Sequence, residues 1–265
     1  MAGACCITGS IFSGTPTGAD EVLNGVACYV ARPVSGQATK AIVLAADVFG
    51  FTFTNVRLLA DRYASTGLLA VVPDMQNGDS VSFSSVAFLL TPATGFLDRL
   101  GRFVTALYRV PQLLAWVARH NDAVTLPPLT AVLEHLRASG VSRVACLGYC
   151  FGGRYSVLVG GKTGQLVDVA MAAHPVGLKP GDFQALRVPT LILCAEKDHT
   201  FGPAAVKAAQ AAAAKRGAEA PCLQFRTYMG TTHGFASRGN EVDAVERAAM
   251  EQAFGDSAAF LEKHL

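Results

Sequence analysis

Short apolar runs alternate along this chain with longer stretches in which apolar side chains return at helical spacing. Residues 40–46 (Lys-Ala-Ile-Val-Leu-Ala-Ala) are too continuously apolar for a half-exposed strand and predict one buried on both faces. Residues 68–72, 141–147, 167–173 and 190–195 predict further strands, and 223–228 alternates like a strand with one wetter face. Residues 26–31, closed by Arg32-Pro33, predict an early antiparallel strand. Helical spacing covers 56–64, 113–119, 129–139, 153–159, 204–215 and 242–260, with Gly67 and Gly140 as stop signals. Strand and helix in alternation predict an α/β domain spanning residues 1–265, a mostly parallel twisted sheet with helices on both faces. Residues 76–112 break the rhythm with a Gln76-Asn77-Gly78-Asp79 turn, an apolar stretch at 81–90, and Pro92, Gly95 and Pro111. They predict an excursion over the sheet's C-terminal edge, a partial lid or pocket wall; an ordinary peripheral helix pair is the alternative.

Composition narrows the function classes. The chain is 51% hydrophobic and 16% charged, as a doubly covered sheet requires. A formal charge of +2 with no basic stripe argues against nucleic acid as a partner. No apolar run reaches membrane-spanning length, and the first residues lack a signal-peptide pattern. Cys5 and Cys6 are the only terminal lipidation candidates, and position 2 is not the glycine that myristoylation needs. Seven scattered cysteines without C-x-x-C or zinc spacing predict free thiols, no metal and a cytoplasmic location. Cys28, Cys146 and Cys194 fall in strand-like runs and read as small buried hydrophobes.

Chemistry concentrates in Gly148-Tyr149-Cys150-Phe151-Gly152-Gly153, between a strand and a helix. The stretch matches the G-x-S-x-G elbow of α/β-hydrolases with cysteine in place of serine. The residues two before and two after such a nucleophile crowd each other, which explains the glycines. Asp47, Cys150, Asp198 and His233 all stand at predicted strand ends, where ligands gather in sheets of this kind. The order nucleophile, acid, histidine is that of the hydrolase triad. Cys150 is therefore the candidate nucleophile, His233 the candidate base and Asp198 the residue that orients it, with Glu196 as a rival. The backbone N–H groups of Val48 and Phe151 are candidates for an oxyanion hole. His174, before Pro175, is a candidate pocket residue; His120, His135 and His264 read as polar-face residues.

These motifs, together with Ala46-Asp47-Val48-Phe49-Gly50-Phe51, Pro73-Asp74, Glu196-Lys197-Asp198-His199 and His233-Gly234-Phe235-Ala236, resemble the dienelactone hydrolase family, eukaryotic members most closely. The resemblance spans nearly the whole chain. It implies an α/β-hydrolase fold, a Cys150/Asp198/His233 triad that opens enol-lactones or cleaves related small esters, and no metal or cofactor. It also implies a thiol-activating carboxylate at Asp47, where bacterial members carry glutamate; the aspartate is shorter by about 1.5 Å. Bacterial members bind a substrate carboxylate through arginines. Arg238 is the candidate here, from a shifted position, with Arg99, Arg102 and Arg109 as candidates for the second, so anionic substrates are among those implied.

Two other functions fit the same residues: an acyltransferase or thioesterase using the same triad, and a binding or redox-sensing module built on the Cys150 thiol. The expected partner is a small ester or lactone, and the expected state a monomer or small homo-oligomer.

Overall fold

A computed structural model describes residues 9–36, 38–86, 95–162, 166–217 and 219–265. The chain opens with the antiparallel pair β1 (Ala19–Leu23) and β2 (Val26–Ala31). It continues through β3 (Lys40–Ala45), α1 (Thr54–Ala64), β4 (Leu69–Pro73), α2 (Phe83–Val86) and α3 (Phe96–Arg119). Then follow α4 (Asp122–Ala138), β5 (Arg143–Tyr149), α5 (Phe151–Gly161), β6 (Val169–Ala173) and α6 (Pro180–Gln184). The last elements are β7 (Thr190–Lys197), α7 (Pro203–Ala213), β8 (Leu223–Thr232), α8 (Phe235–Arg238) and α9 (Ala244–His264).

The strands form one sheet in the order β1-β2-β4-β3-β5-β6-β7-β8. From β4 to β8 every pairing is parallel, and β2 joins β4 antiparallel. The central strands are the continuously apolar ones: Ile42 pairs with Ala145 and Leu44 with Leu147, all with no exposed surface. Each large aliphatic side chain buried this way contributes roughly 1.5–3 kcal/mol. Helices α1 and α9 cover one face, where Tyr63 packs at a tilt against Phe254 with ring centroids 4.8 Å apart. Helices α4, α5, α6 and α7 cover the other. Cys28, Cys146 and Cys194 are buried as expected, and burial pushes each thiol up to about 12.

Three elements depart from the sequence reading. Strand β1 was not anticipated; its Ala-Asp-Glu-Val-Leu is largely exposed at the sheet edge and lacks the apolar run that marks a buried strand. Helix α4 begins seven residues before the expected 129, at Asp122, because the Asn121 side chain caps it by accepting from Ala123 N–H at 3.0 Å. Pro127 and Pro128 lie in its second turn, where each removes one ladder donor. The expected 113–119 helix is the end of α3, which starts at Phe96 and runs through Pro111. Within the 76–112 excursion, α2 and most of α3 are helical, and 87–94 lies outside the described residues, as do Cys5 and Cys6. Among the described residues no helix is long and apolar enough to cross a membrane.

Candidate active site

The turn from β5 into α5 is built by its glycines. A Cβ on Gly148 would stand 2.1 Å from the Gly152 carbonyl oxygen, and one on Gly152 would stand 2.0 Å from that of Ala45. Neither position admits a side chain. The turn holds Cys150 at φ 51° and ψ −111°, a conformation that non-glycine residues rarely adopt. Backbone bonds fix it there: Cys150 N–H donates to Ala173 O at 3.0 Å, and the Cys150 carbonyl accepts from Gly153 and Val176. The strain is thus over-determined by the neighbouring strand β6 and the start of α5.

Residues 83 positions apart meet over this turn. His233 Nε2 lies 3.1 Å from Cys150 Sγ, and His233 Nδ1 lies 2.9 Å from Asp198 Oδ2. All three side chains are buried. Asp198 follows the end of β7, and its other oxygen, Oδ1, accepts from Thr200 N–H at 2.8 Å, Thr200 Oγ1 at 2.6 Å and Phe201 N–H at 3.1 Å. Thr200 went unnoticed in the sequence, although an aspartate whose side chain caps the residue two positions on is a recognisable turn device. Glu196, the rival acid, points elsewhere and accepts from Gly230 N–H at 2.7 Å.

The charges in this cluster reinforce one another. Burial alone would depress the His233 imidazole, but a negative Cys150 sulfur and the Asp198 bond raise it to about 9. Burial works against ionisation of Asp198, yet its bonds from His233 and Thr200 hold the carboxyl well below the usual range. The imidazole thus lies between a sulfur and a carboxylate, and a negative charge on either favours its protonated form.

Asp47, at the turn after β3, is buried against Arg238 of α8, with Arg238 Nη1 donating to Oδ2 at 2.7 Å. Its Oδ1 accepts from Phe49 N–H at 3.0 Å. Burial, opposed by Arg238 and assisted by the negative charge at Cys150, raises the Asp47 carboxyl to about 6. Both oxygens therefore have donors apart from the thiol. Arg238 has no exposed surface; its guanidinium faces Asp47 and stands 5.6 Å from the Phe49 ring centre. Of the other arginine candidates, Arg102 pairs with Asp98 at 2.9 Å and Arg109 bonds Gln112, both along α3.

Phe151 N–H lies in the first turn of α5, where a helix leaves its donors without intrahelical acceptors. Val48 sits in the turn after β3, its carbonyl accepting from Val81 N–H at 2.9 Å. His174 is wholly buried and, among the described residues, neither ring nitrogen has a hydrogen-bond partner; its ring meets that of His233 edge-on at 5.0 Å. Burial, then the charges of His233 and Arg238, hold His174 well below the usual imidazole range, so it is neutral. His120 is not the polar-face residue the sequence suggested: it is buried and stacked on Trp116 at 4.1 Å. Among the described residues no cluster of three or more histidine, cysteine, aspartate or glutamate side chains could hold a metal ion.

A parallel sheet with a glycine-built nucleophile turn and this Cys–His–Asp geometry defines an α/β-hydrolase, an enzyme that cleaves carboxylic esters or lactones. The chain belongs to the dienelactone hydrolase family, whose profile matches residues 26–265. It is 29% identical over 262 residues to the hydrolase pyvD of Aspergillus violaceofuscus, covering 98% of this chain and 96% of that protein. It is 27% identical to dienlactone hydrolase 1 of Gibberella moniliformis, covering 94% of this chain and 89% of that one. A thermophilic esterase from Thermogutta terrifontis shares the fold with a TM-score of 0.61 at 13% identity, over 90% of this chain and 92% of that chain.

Proposed function

We propose that the protein hydrolyses lactones and small carboxylic esters through a covalent acyl-enzyme on Cys150. The observation that carries this reading is the unbroken contact from Cys150 Sγ through the His233 ring to Asp198, at 3.1 and 2.9 Å. The thiolate adds to the substrate carbonyl carbon, and the carbonyl oxygen takes the negative charge. Val48 and Phe151 N–H groups stabilise that oxyanion, at about 3 kcal/mol each. The intermediate collapses by breaking the bond to the alkoxide, which takes its proton from the His233 imidazolium; in a lactone this opens the ring and leaves both ends on one acyl chain. Neutral His233 then removes a proton from water as the oxygen adds to the thioester. Collapse expels the Cys150 thiolate, releases the acid and restores the starting charge state.

Asp47 and Arg238 serve this site as a buried pair beside the thiol. By reciprocity, the same proximity that raises Asp47 makes its negative charge disfavour the thiolate, and Arg238 counters that charge. This supports a role for Asp47 in setting the resting thiol's reactivity, and the 2.7 Å contact supports a role for Arg238 as its partner. The reading is tested with purified Cys150→Ala protein and an activated aryl ester. Turnover should fall to the uncatalysed background while the circular dichroism spectrum is kept; undiminished turnover would refute it.

A further inference from the structure

Helix α3 is turned the opposite way from an ordinary surface helix. Phe96, Leu100, Phe103, Leu107, Val110 and Leu114 recur in steps of four, three, four, three and four, and all are exposed, Phe96 by 79% and Leu107 by 62%. At 3.6 residues per turn they occupy an arc of roughly 80°. The side chains that anchor α3 to the protein lie on the other side: Trp116 is buried, donates through Nε1 to the Asp79 carbonyl, and packs on Phe151 at 5.1 Å. The charged residues of the helix, Asp98, Arg99, Arg102, Arg109 and Arg119, all fall outside the apolar arc.

We infer that this face is the interface of a homodimer, in which α3 pairs antiparallel with α3 of a second copy about a twofold axis near Thr105. Alternating steps of four and three are the spacing of a helix–helix seam, and a second copy supplies a helix with the same spacing. With Val104 and Tyr108, the exposed side chains amount to on the order of 800 Å². That matches the roughly 800 Å² per partner of a stable interface and exceeds the few hundred that a monomer ordinarily leaves open. Charge placement selects the direction. In an antiparallel pair centred near Thr105, the six seam residues face one another, Arg99 lies opposite Pro111 and Arg102 opposite Tyr108, so no arginine faces an arginine; a parallel pair would set Arg99 against Arg99. Charge also argues against a membrane surface. Arg102 is engaged by Asp98 and Arg109 by Gln112, so Arg99 alone borders the apolar arc, less basic charge than a helix lying in a membrane surface carries on its polar face. Because Trp116 touches Phe151, the dimer contact braces the helix that walls the candidate oxyanion site.

The test is sedimentation velocity at tens of micromolar, on the full chain and on Leu107→Glu. The unaltered protein should sediment as a dimer. Leu107→Glu, which puts two carboxylates beside the centre of the seam, each against Phe103 of the other copy, should dissociate it with at least about a hundredfold loss of affinity. Since Leu107 is exposed in the protomer, its circular dichroism spectrum should not change, and Phe103→Asp should reproduce the dissociation if Leu107→Glu folds poorly. A monomeric unaltered protein, a dimer that survives both substitutions, or a monomer that co-sediments with phosphatidylserine-containing vesicles would overturn the inference.

Discussion

Replacing Asp198 by asparagine removes one charge and nearly no volume, and the surrounding donors dictate how the new side chain must sit. Thr200 N–H, Thr200 Oγ1 and Phe201 N–H all point at the Oδ1 position. An asparagine can satisfy them only by placing its carbonyl oxygen there, which puts its NH2 where Oδ2 now receives the His233 Nδ1 proton at 2.9 Å. Two donors would then face each other. His233 escapes by shifting its proton to Nε2, so the nitrogen beside Cys150 no longer accepts a proton from the thiol. The imidazolium also loses the carboxylate that helps raise it to about 9. A charge-assisted bond is worth roughly 1.5–3 kcal/mol, and the wrong tautomer adds to that, so kcat/KM should fall by about a thousandfold, near 4 kcal/mol. Aryl-ester turnover supplies kcat/KM, and iodoacetamide alkylation at neutral pH reports the thiolate, which should label more slowly in the variant. Activity within tenfold of the unaltered enzyme, with a well-folded variant, would refute the orienting role of Asp198.

Asp47→Asn should separate stability from reactivity. It leaves the Arg238 guanidinium buried without its carboxylate and should cost about 3 kcal/mol in urea unfolding. Removing the negative charge near Cys150 should at the same time speed alkylation of the resting thiol; slower alkylation would contradict the placement of Asp47. The pH profile carries its own signature. His233 is raised to about 9 in the free enzyme, so its protonated form is lost above that value, and kcat/KM should drop about tenfold per pH unit there. The same shift makes His233's contribution to stability full below the ordinary imidazole value near 6.5 and lost as pH climbs through 9. A rate still rising at pH 10 would show that His233 does not act as the acid.

Much of this fold was legible because its central strands bury both faces. Residues 40–46 have no room for polar alternation, and the observed β3 carries a buried residue at every position after Lys40. The elbow was legible for a steric reason: with contacts near 2 Å awaiting any Cβ at Gly148 or Gly152, the glycines are forced, and they frame Cys150. Asp198 and His233 were legible because strand ends are where a parallel sheet presents side chains to ligands. What escaped notice depends on pairings between distant residues. The Asp47–Arg238 pair joins positions 191 apart, and no local pattern shows that Arg238 turns inward. Helix α3 escaped because Pro92, Gly95 and Pro111 read as breaks. Pro111 removes only the donor to the Leu107 carbonyl, one bond in a 24-residue ladder. His120 read as surface because the ring of Trp116 that covers it belongs to a helix facing the wrong way for its apolar pattern.

Trapping the acyl-enzyme tests the central claim most directly. Protein mixed with a slowly turning-over aryl ester, quenched in acid within the first turnover and digested, should yield the peptide containing Cys150 heavier by one acyl group, formed at the same rate as the first equivalent of phenol. Release of phenol with Cys150 unmodified throughout would contradict covalent catalysis by this thiol.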